Sequence, residues 1–129
     1  MATMTALGSL SRIIIYAGDA VRCARFFEEH FGLAPVGEFS PEWAELDAGA
    51  CRLAFHQAYD QSGPITSPTG SPLNPHKIVF TVPDVAAARQ QLLDAGVAVG
   101  EIHHFEDQGN LILFQGTDPE GHVFQLCNQ

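Results

Sequence analysis

A strand, a capping aspartate and a helix occur twice in this chain, and the spacing between the two copies is nearly constant. Arg12 lies 65 positions before Lys77, Asp19 lies 65 before Asp84, and Gly32 lies 64 before Gly96. In the second copy, Lys77, Val79 and Thr81 alternate with Ile78, Phe80 and Val82. That two-residue period predicts a strand with one mixed and one apolar face. Asp84 suits an N-cap, because its carboxylate can accept from the free N–H groups of a first helical turn. Val85, Ala88 and Leu92 recur at helical spacing, and Gly96 supplies a left-handed stop. In the first copy, Arg12 to Ala17 is a β-branched run and Asp19 is the cap. The helix, from about 20 to 31, puts Val21, Ala24, Phe27 and Phe31 on one stripe. Two copies are too few for a solenoid and predict a paired-module domain.

The remaining chain completes each module. Residues 43–47 and 51–57 read as strands joined by a Gly-containing turn. Residues 58–75 hold Pro64, Pro68, Pro72 and Pro75 with Gly63 and Gly70, and read as a connector, either a plain linker or a mobile lid. In the second half, Val97–Phe105 and Leu111–Gln115 are expected strands. Asp118-Pro119-Glu120-Gly121 fits a type I turn, and His122 to Cys127 is the last strand. Each half is therefore β-α-β-β-β, after a ragged start over residues 1–10. The expected organisation is one domain over 1–129: a first module at about 11–57, the connector 58–75 and a second module at 76–129.

Charge narrows the partners. A formal net charge of −9 argues against nucleic acid and anionic membranes, which would repel the chain. No apolar run approaches the roughly 20 residues of a membrane span. The start lacks the basic and apolar segments of a signal peptide. Cys23, Cys51 and Cys127 are odd in number and widely spaced, which fits a reduced cytoplasmic protein with cysteines as small buried hydrophobes.

The two strand–Asp–helix units and the closing Asp-Pro-Glu-Gly-His-Val-Phe-Gln-Leu resemble the vicinal oxygen chelate superfamily. That superfamily includes glyoxalase I, extradiol dioxygenases, fosfomycin-resistance enzymes and bleomycin-resistance proteins. The resemblance covers about residues 11–129. It implies an α+β fold of paired βαβββ modules, with curled sheets around a cavity and helices outside. It then assigns sides. Ile13, Ile15, Ile78, Phe80 and Val82 should pack under helices. Arg12, Ile14, Tyr16, Arg52, Ala54, His56, Lys77, Val79, Thr81, Val123, Gln125 and Cys127 should face the cavity, with Trp43 and Glu45. A homodimer is expected from the resemblance.

Metal-using members carry a His, Glu or Gln ligand on the first and last strand of each module. By spacing, those positions here are Arg12, Ala54, Lys77 and Gln125. Only Gln125 offers a ligand oxygen, and a weak one. Arg12 has no lone pair to give, Lys77 would have to lose a proton, and Ala54 offers nothing. Two cations repel a dication. No cofactor is therefore expected, the alternative being a divalent metal in a rearranged site. The expected ligand-binding set is Arg12, Tyr16, Trp43, Arg52, His56, Lys77, Thr81 and Gln125, suited to an anionic or oxygen-rich small molecule. Equally open is a rim role in which Arg12 or Arg52 pairs with Glu45 or Asp47.

Six histidines remain to be placed. His30, near a helix C-terminus, is expected to be structural. His122 should point outward beside its turn, and His103 and His104 should be solvated. His56 is the candidate catalytic base. A one-residue slip would turn His76 inward and Lys77 out, assembling His76, His56, Glu45 and Gln125. The chain thus reads as a glyoxalase/bleomycin-resistance-like protein that binds a small molecule without metal. The alternative is a lyase or dioxygenase of the glyoxalase type with a rearranged metal site.

Overall fold

The computed structural model describes residues 7–60 and 63–129, so the expected ragged start lies outside the described residues as far as residue 6. The chain divides into two compact units, Met1–Gln61 and Ser62–Gln129. Each has a four-stranded mixed sheet and one long helix, the α+β class and βαβββ order expected from the repeat.

The first unit comprises β1 (Arg12–Ala17), α1 (Ala20–Phe31), β2 (Ala34–Pro35), β3 (Trp43–Asp47) and β4 (Arg52–Gln57). Asp19 is extended and accepts from the Arg22 N–H at 3.1 Å, the anticipated cap. Gly32 ends the helix at φ +70°, in the left-handed region that favours glycine. The strand order is β1-β4-β3-β2, with β1 parallel to β4 and the other pairs antiparallel. Ala20, Cys23, Ala24 and Phe27 of α1 are buried, and Phe27 stacks on Phe55 at 5.8 Å between centroids. The buried stripe is therefore turned from the expected one, and Val21 and Phe31 are half-buried. Burying a side chain such as Phe27 contributes about 2–3 kcal/mol. Ile13, expected under the helix, is instead 43% exposed. The reason is that α1 lies mainly over β3 and β4, leaving the edge strand β1 with little cover.

The second unit comprises β5 (Lys77–Thr81), α2 (Val85–Asp94), β6 (His103–Phe105), β7 (Leu111–Thr117) and β8 (Val123–Cys127). Asp84 caps α2 by accepting from the Ala87 N–H at 3.0 Å. The order β5-β8-β7-β6, with β5 parallel to β8, repeats that of the first sheet. Val85, Leu92, Val97, Phe114, Phe124 and Leu126 are buried. The strand expected over Val97–Phe105 is mostly absent. The Val97 N–H turns back to the Leu92 carbonyl, and Val99 meets Gly116 in a single bridge before pairing begins at His103. The short β2 was not expected, and β7 runs two residues beyond Gln115. The turn before β8 closes as anticipated, with the Gly121 N–H donating to the Asp118 carbonyl at 3.1 Å.

Residues 63–75 of the expected connector belong to the second unit. The Ile65 N–H donates to the Glu120 carbonyl at 2.7 Å. Asn74 is buried and holds a tight loop, donating from its amide to the Ser67 carbonyl and accepting from the Gly70 N–H. Residues 61 and 62 of the connector lie outside the described residues. No helix among the described residues is long and apolar enough to cross a membrane.

Candidate functional site

Pairing in the first sheet sorts the residues on the face away from α1 into three rows. Arg12, Arg52 and Asp47 form one row, Ile14, Ala54 and Glu45 the next, and Tyr16, His56 and Trp43 the third. At about 3.3 Å per residue, the first and third rows lie about 13 Å apart along the strand.

Glu45 joins the cationic row to the aromatic one. It is only 8% exposed. Its Oε2 accepts from Arg52 Nη1 at 3.2 Å and lies 3.6 Å from Arg12 Nη2. Its Oε1 accepts from the Trp43 indole N–H at 3.3 Å. The rim pairing anticipated for Arg12 and Arg52 is therefore present, and Glu45 serves both. The guanidinium side chains nonetheless remain 46% and 42% exposed. Two cations thus share the one carboxylate that contacts them, in a protein of net charge −9. The Asp47 carboxylate is turned to the Gly49 N–H at 2.9 Å.

His56 sits among three aromatic rings. Tyr16 meets it edge-on at 5.4 Å, Trp43 edge-on at 6.0 Å and Tyr59 tilted at 6.0 Å. Its Nδ1 is 2.8 Å from the Gln57 carbonyl, which can only accept, so Nδ1 donates there, and in the neutral ring the lone pair is on Nε2. Tyr59 was not singled out in the sequence. The only available signal was its position just beyond the end of β4, three residues after His56. Ala54 is fully buried between Ile14 and Glu45.

In the second unit, β5 pairs with β8 residue for residue from Lys77↔Val123 to Thr81↔Cys127, with no bulge. Lys77, Val79 and Thr81 therefore share a sheet face with Gln125. His76 is exposed and precedes the strand. Lys77 has no carboxylate partner among the described residues. Thr81 donates from its hydroxyl to the Gln129 carbonyl at 2.8 Å. Gln125, opposite Gln115 on β7, is 7% exposed, and its Oε1 has no hydrogen-bond donor among the described residues. Of the nonstandard set, His56 and Glu45 belong to the first unit and His76 and Gln125 to the second.

His122 is corrected. It does not point outward: its Nδ1 is 2.6 Å from Asp118 Oδ2, and its side chain is 11% exposed. The turn folds the Asp118 carboxylate back onto its own following amides. Oδ1 accepts from the Glu120 and His122 N–H groups, each at 2.9 Å, which sets Oδ2 beside the imidazole. His30 packs its ring on Phe26 at 4.9 Å, while His103 and His104 are exposed.

Residues 9–126 match the family model of the Glyoxalase/Bleomycin resistance protein/Dioxygenase superfamily. No curated protein matches the chain. Solved structures that share its fold include the following three. A lactoylglutathione lyase from Agrobacterium tumefaciens is 16% identical, with 92% of each chain covered and a TM-score of 0.70. A possible glyoxalase from Bacillus cereus is 18% identical, with 94% of this chain and 98% of that one covered and a TM-score of 0.66. The virulence protein STM3117 from Salmonella typhimurium is 19% identical, with coverages of 95% and 98% and a TM-score of 0.68.

Proposed function

This chain belongs to the glyoxalase/bleomycin resistance protein/dioxygenase superfamily, and on that premise we propose that it binds an anionic or oxygen-rich small molecule without a resident metal ion. The observation that carries the reading is the Arg12–Glu45–Arg52 cluster. At one of the positions where the resemblance puts metal ligands, a guanidinium is held beside a second guanidinium by one buried carboxylate. Ala54, Lys77 and Gln125 complete that set, and an alkyl group, an ammonium and a single amide oxygen do not fit a divalent ion. The cationic row instead suits a carboxylate or phosphate, which a guanidinium meets with two parallel N–H donors. The neighbouring Tyr16, Trp43 and His56 offer rings to a flat ligand.

The test uses protein purified without an affinity tag. Metal content well below one ion per chain is expected. Titration with benzoate and with phosphate should show binding to the wild type that is about tenfold weaker in Arg52→Ala, the loss of one charge-assisted contact. Unchanged affinity in Arg52→Ala, with its fold intact, counts against the reading, as does a stoichiometric transition metal.

One observation favours the second reading, a lyase or dioxygenase with a rearranged metal site. Among the described residues the buried Gln125 Oε1 has no donor, and His56 commits Nδ1 to a carbonyl, which leaves Nε2 as its ligand atom in the neutral ring. That reading requires chelation to lower thermal stability and His56→Ala or Gln125→Ala to reduce metal uptake. A homodimer and a cytoplasmic location complete the proposal. Light scattering at micromolar concentration tests the first, and localisation of a tagged copy tests the second.

A further inference from the structure

Arg12, Ile14 and Tyr16 follow one another on one face of β1 at two-residue intervals, about 6.6 Å apart. Their chemistry changes in that order from cationic to aliphatic to aromatic. The strip is open: Ile14 is 46% and Tyr16 64% exposed, and the Arg12 guanidinium is also accessible. β4 repeats the two ends with Arg52 and His56, and the exposed Tyr59 adds a ring 6.0 Å from His56. All of these residues belong to the first unit. Exposed apolar groups gathered in one strip, rather than scattered singly, mark an interaction surface, and here one end of the strip is charged.

Glu45 sets how far apart the two ends stand. It accepts from Arg52 Nη1 at 3.2 Å through one oxygen and from the Trp43 indole at 3.3 Å through the other. The two oxygens of a carboxylate are about 2.2 Å apart, so guanidinium and indole nitrogens lie within about 9 Å of each other. An anionic group resting on Arg12 and Arg52 and a ring resting against Tyr16 and its aromatic neighbours can thus belong to one small molecule. The stretch between them passes Ile14, which offers no hydrogen-bonding group. A polar linker would lose water there without replacement, whereas methylenes gain by leaving water. A cationic head would be repelled by two guanidinium groups. An aromatic tail gains from edge or face contact with the rings beyond the area it buries.

Resting on the reading of this face as an anion site, we infer that its ligand is an arylalkanoate: a carboxylate joined to an aromatic ring by a saturated spacer of about four methylenes, the length that bridges the two ends. Calorimetry on the full chain at low ionic strength tests it with probes that dissect the molecule. 5-Phenylpentanoate has head, spacer and ring, pentanoate lacks the ring, and benzoate lacks the spacer. 5-Phenylpentanoate should bind at least about tenfold more tightly than either. 8-Phenyloctanoate, with a longer spacer, should bind no more tightly than 5-phenylpentanoate although it is more hydrophobic. Tyr16→Ser, a change at an exposed position, should reduce the affinity ratio of 5-phenylpentanoate to pentanoate by about threefold or more. The inference is overturned if 5-phenylpentanoate binds no better than benzoate or pentanoate, or if affinity keeps rising to 8-phenyloctanoate. An unchanged ratio in Tyr16→Ser, folded as judged by its thermal melt, overturns it as well. In each of these cases benzoate binding that weakens in Arg52→Ala leaves the anion site standing. If no carboxylate binds in a manner that depends on Arg52, the anion site and the inference fall together. The ligand series on the wild type decides the matter even where a variant fails to fold.

Discussion

Glu45→Gln should lower stability and raise anion affinity together. Glutamine keeps an oxygen for the Trp43 indole but removes the charge that holds Arg12 and Arg52. A hydrogen bond to a charged group contributes about 1.5–3 kcal/mol when well buried. Because Arg52 is 42% exposed, solvent screening reduces its contact with Glu45 to about 1 kcal/mol. The Arg12 contact, at 3.6 Å and 46% exposure, adds about 0.5 kcal/mol. A loss of about 1.5 kcal/mol corresponds to a fall in melting temperature of about 5–7 °C for a chain of this length. The affinity change has the opposite sign. A monoanion held about 6 Å from the lost carboxylate, at an effective dielectric of about 40–80, is relieved of about 0.7–1.4 kcal/mol of repulsion, or three- to tenfold in affinity. Thermal melts and benzoate calorimetry at low ionic strength read the two effects, and both should shrink as salt is raised. A variant that melts like the wild type and binds benzoate more weakly refutes the argument, since Glu45 would then be a ligand contact and not a charge clamp.

Substitutions at three further positions probe the frame around the candidate site. Gly121→Ala should cost about 2–4 kcal/mol in urea unfolding, because the residue is at φ +92° and the new Cβ would press on the Ile65 carbonyl; a loss under 1 kcal/mol would contradict that close approach. Asp118→Ala should cost about 3 kcal/mol through the His122 contact and two turn amides. Asp118→Asn, which retains an oxygen for those amides, should recover more than half of that in the same assay. Asp84→Ala should cost about 1 kcal/mol and Asp84→Ser much less, as expected of an N-cap; equal losses in chemical denaturation would argue against capping.

The fold was legible because its signals are local. Asp19 and Asp84 each accept from the third residue onward, and Gly32 adopts the left-handed turn, all within a few residues of the run they terminate. The alternation in β5 also holds without a bulge, so Lys77 shares its sheet face with Gln125. Less legible were features that depend on neighbours distant in sequence. Ile13 belongs to an apolar run, but its exposure follows from an outer strand that α1 covers only slightly. The Val97–Phe105 run looks like a strand, yet its first N–H is taken by the preceding helix. Glu45 could be named as one partner for the arginines. That it serves both depends on a register which sets it one row away from each, across two strand pairs. His122 was misread because alternation predicts a side and not an aspartate folding back across its own turn.

The parallel neighbours in each sheet have a kinetic consequence. β1 pairs with β4 across a separation of 40 residues, from Arg12 to Arg52. Closing so long a loop costs entropy that is recovered only when pairing is complete, and such contacts slow folding. With one strand neighbour and a half-exposed surface, β1 is also where fraying should begin. Arg12 and Tyr16 lie on it, so these two members of the first-sheet cluster depend on its pairing with β4. An anion bridging Arg12 and Arg52 would fasten that strand to its neighbour, and occupancy would register first as slower amide exchange along residues 12–17.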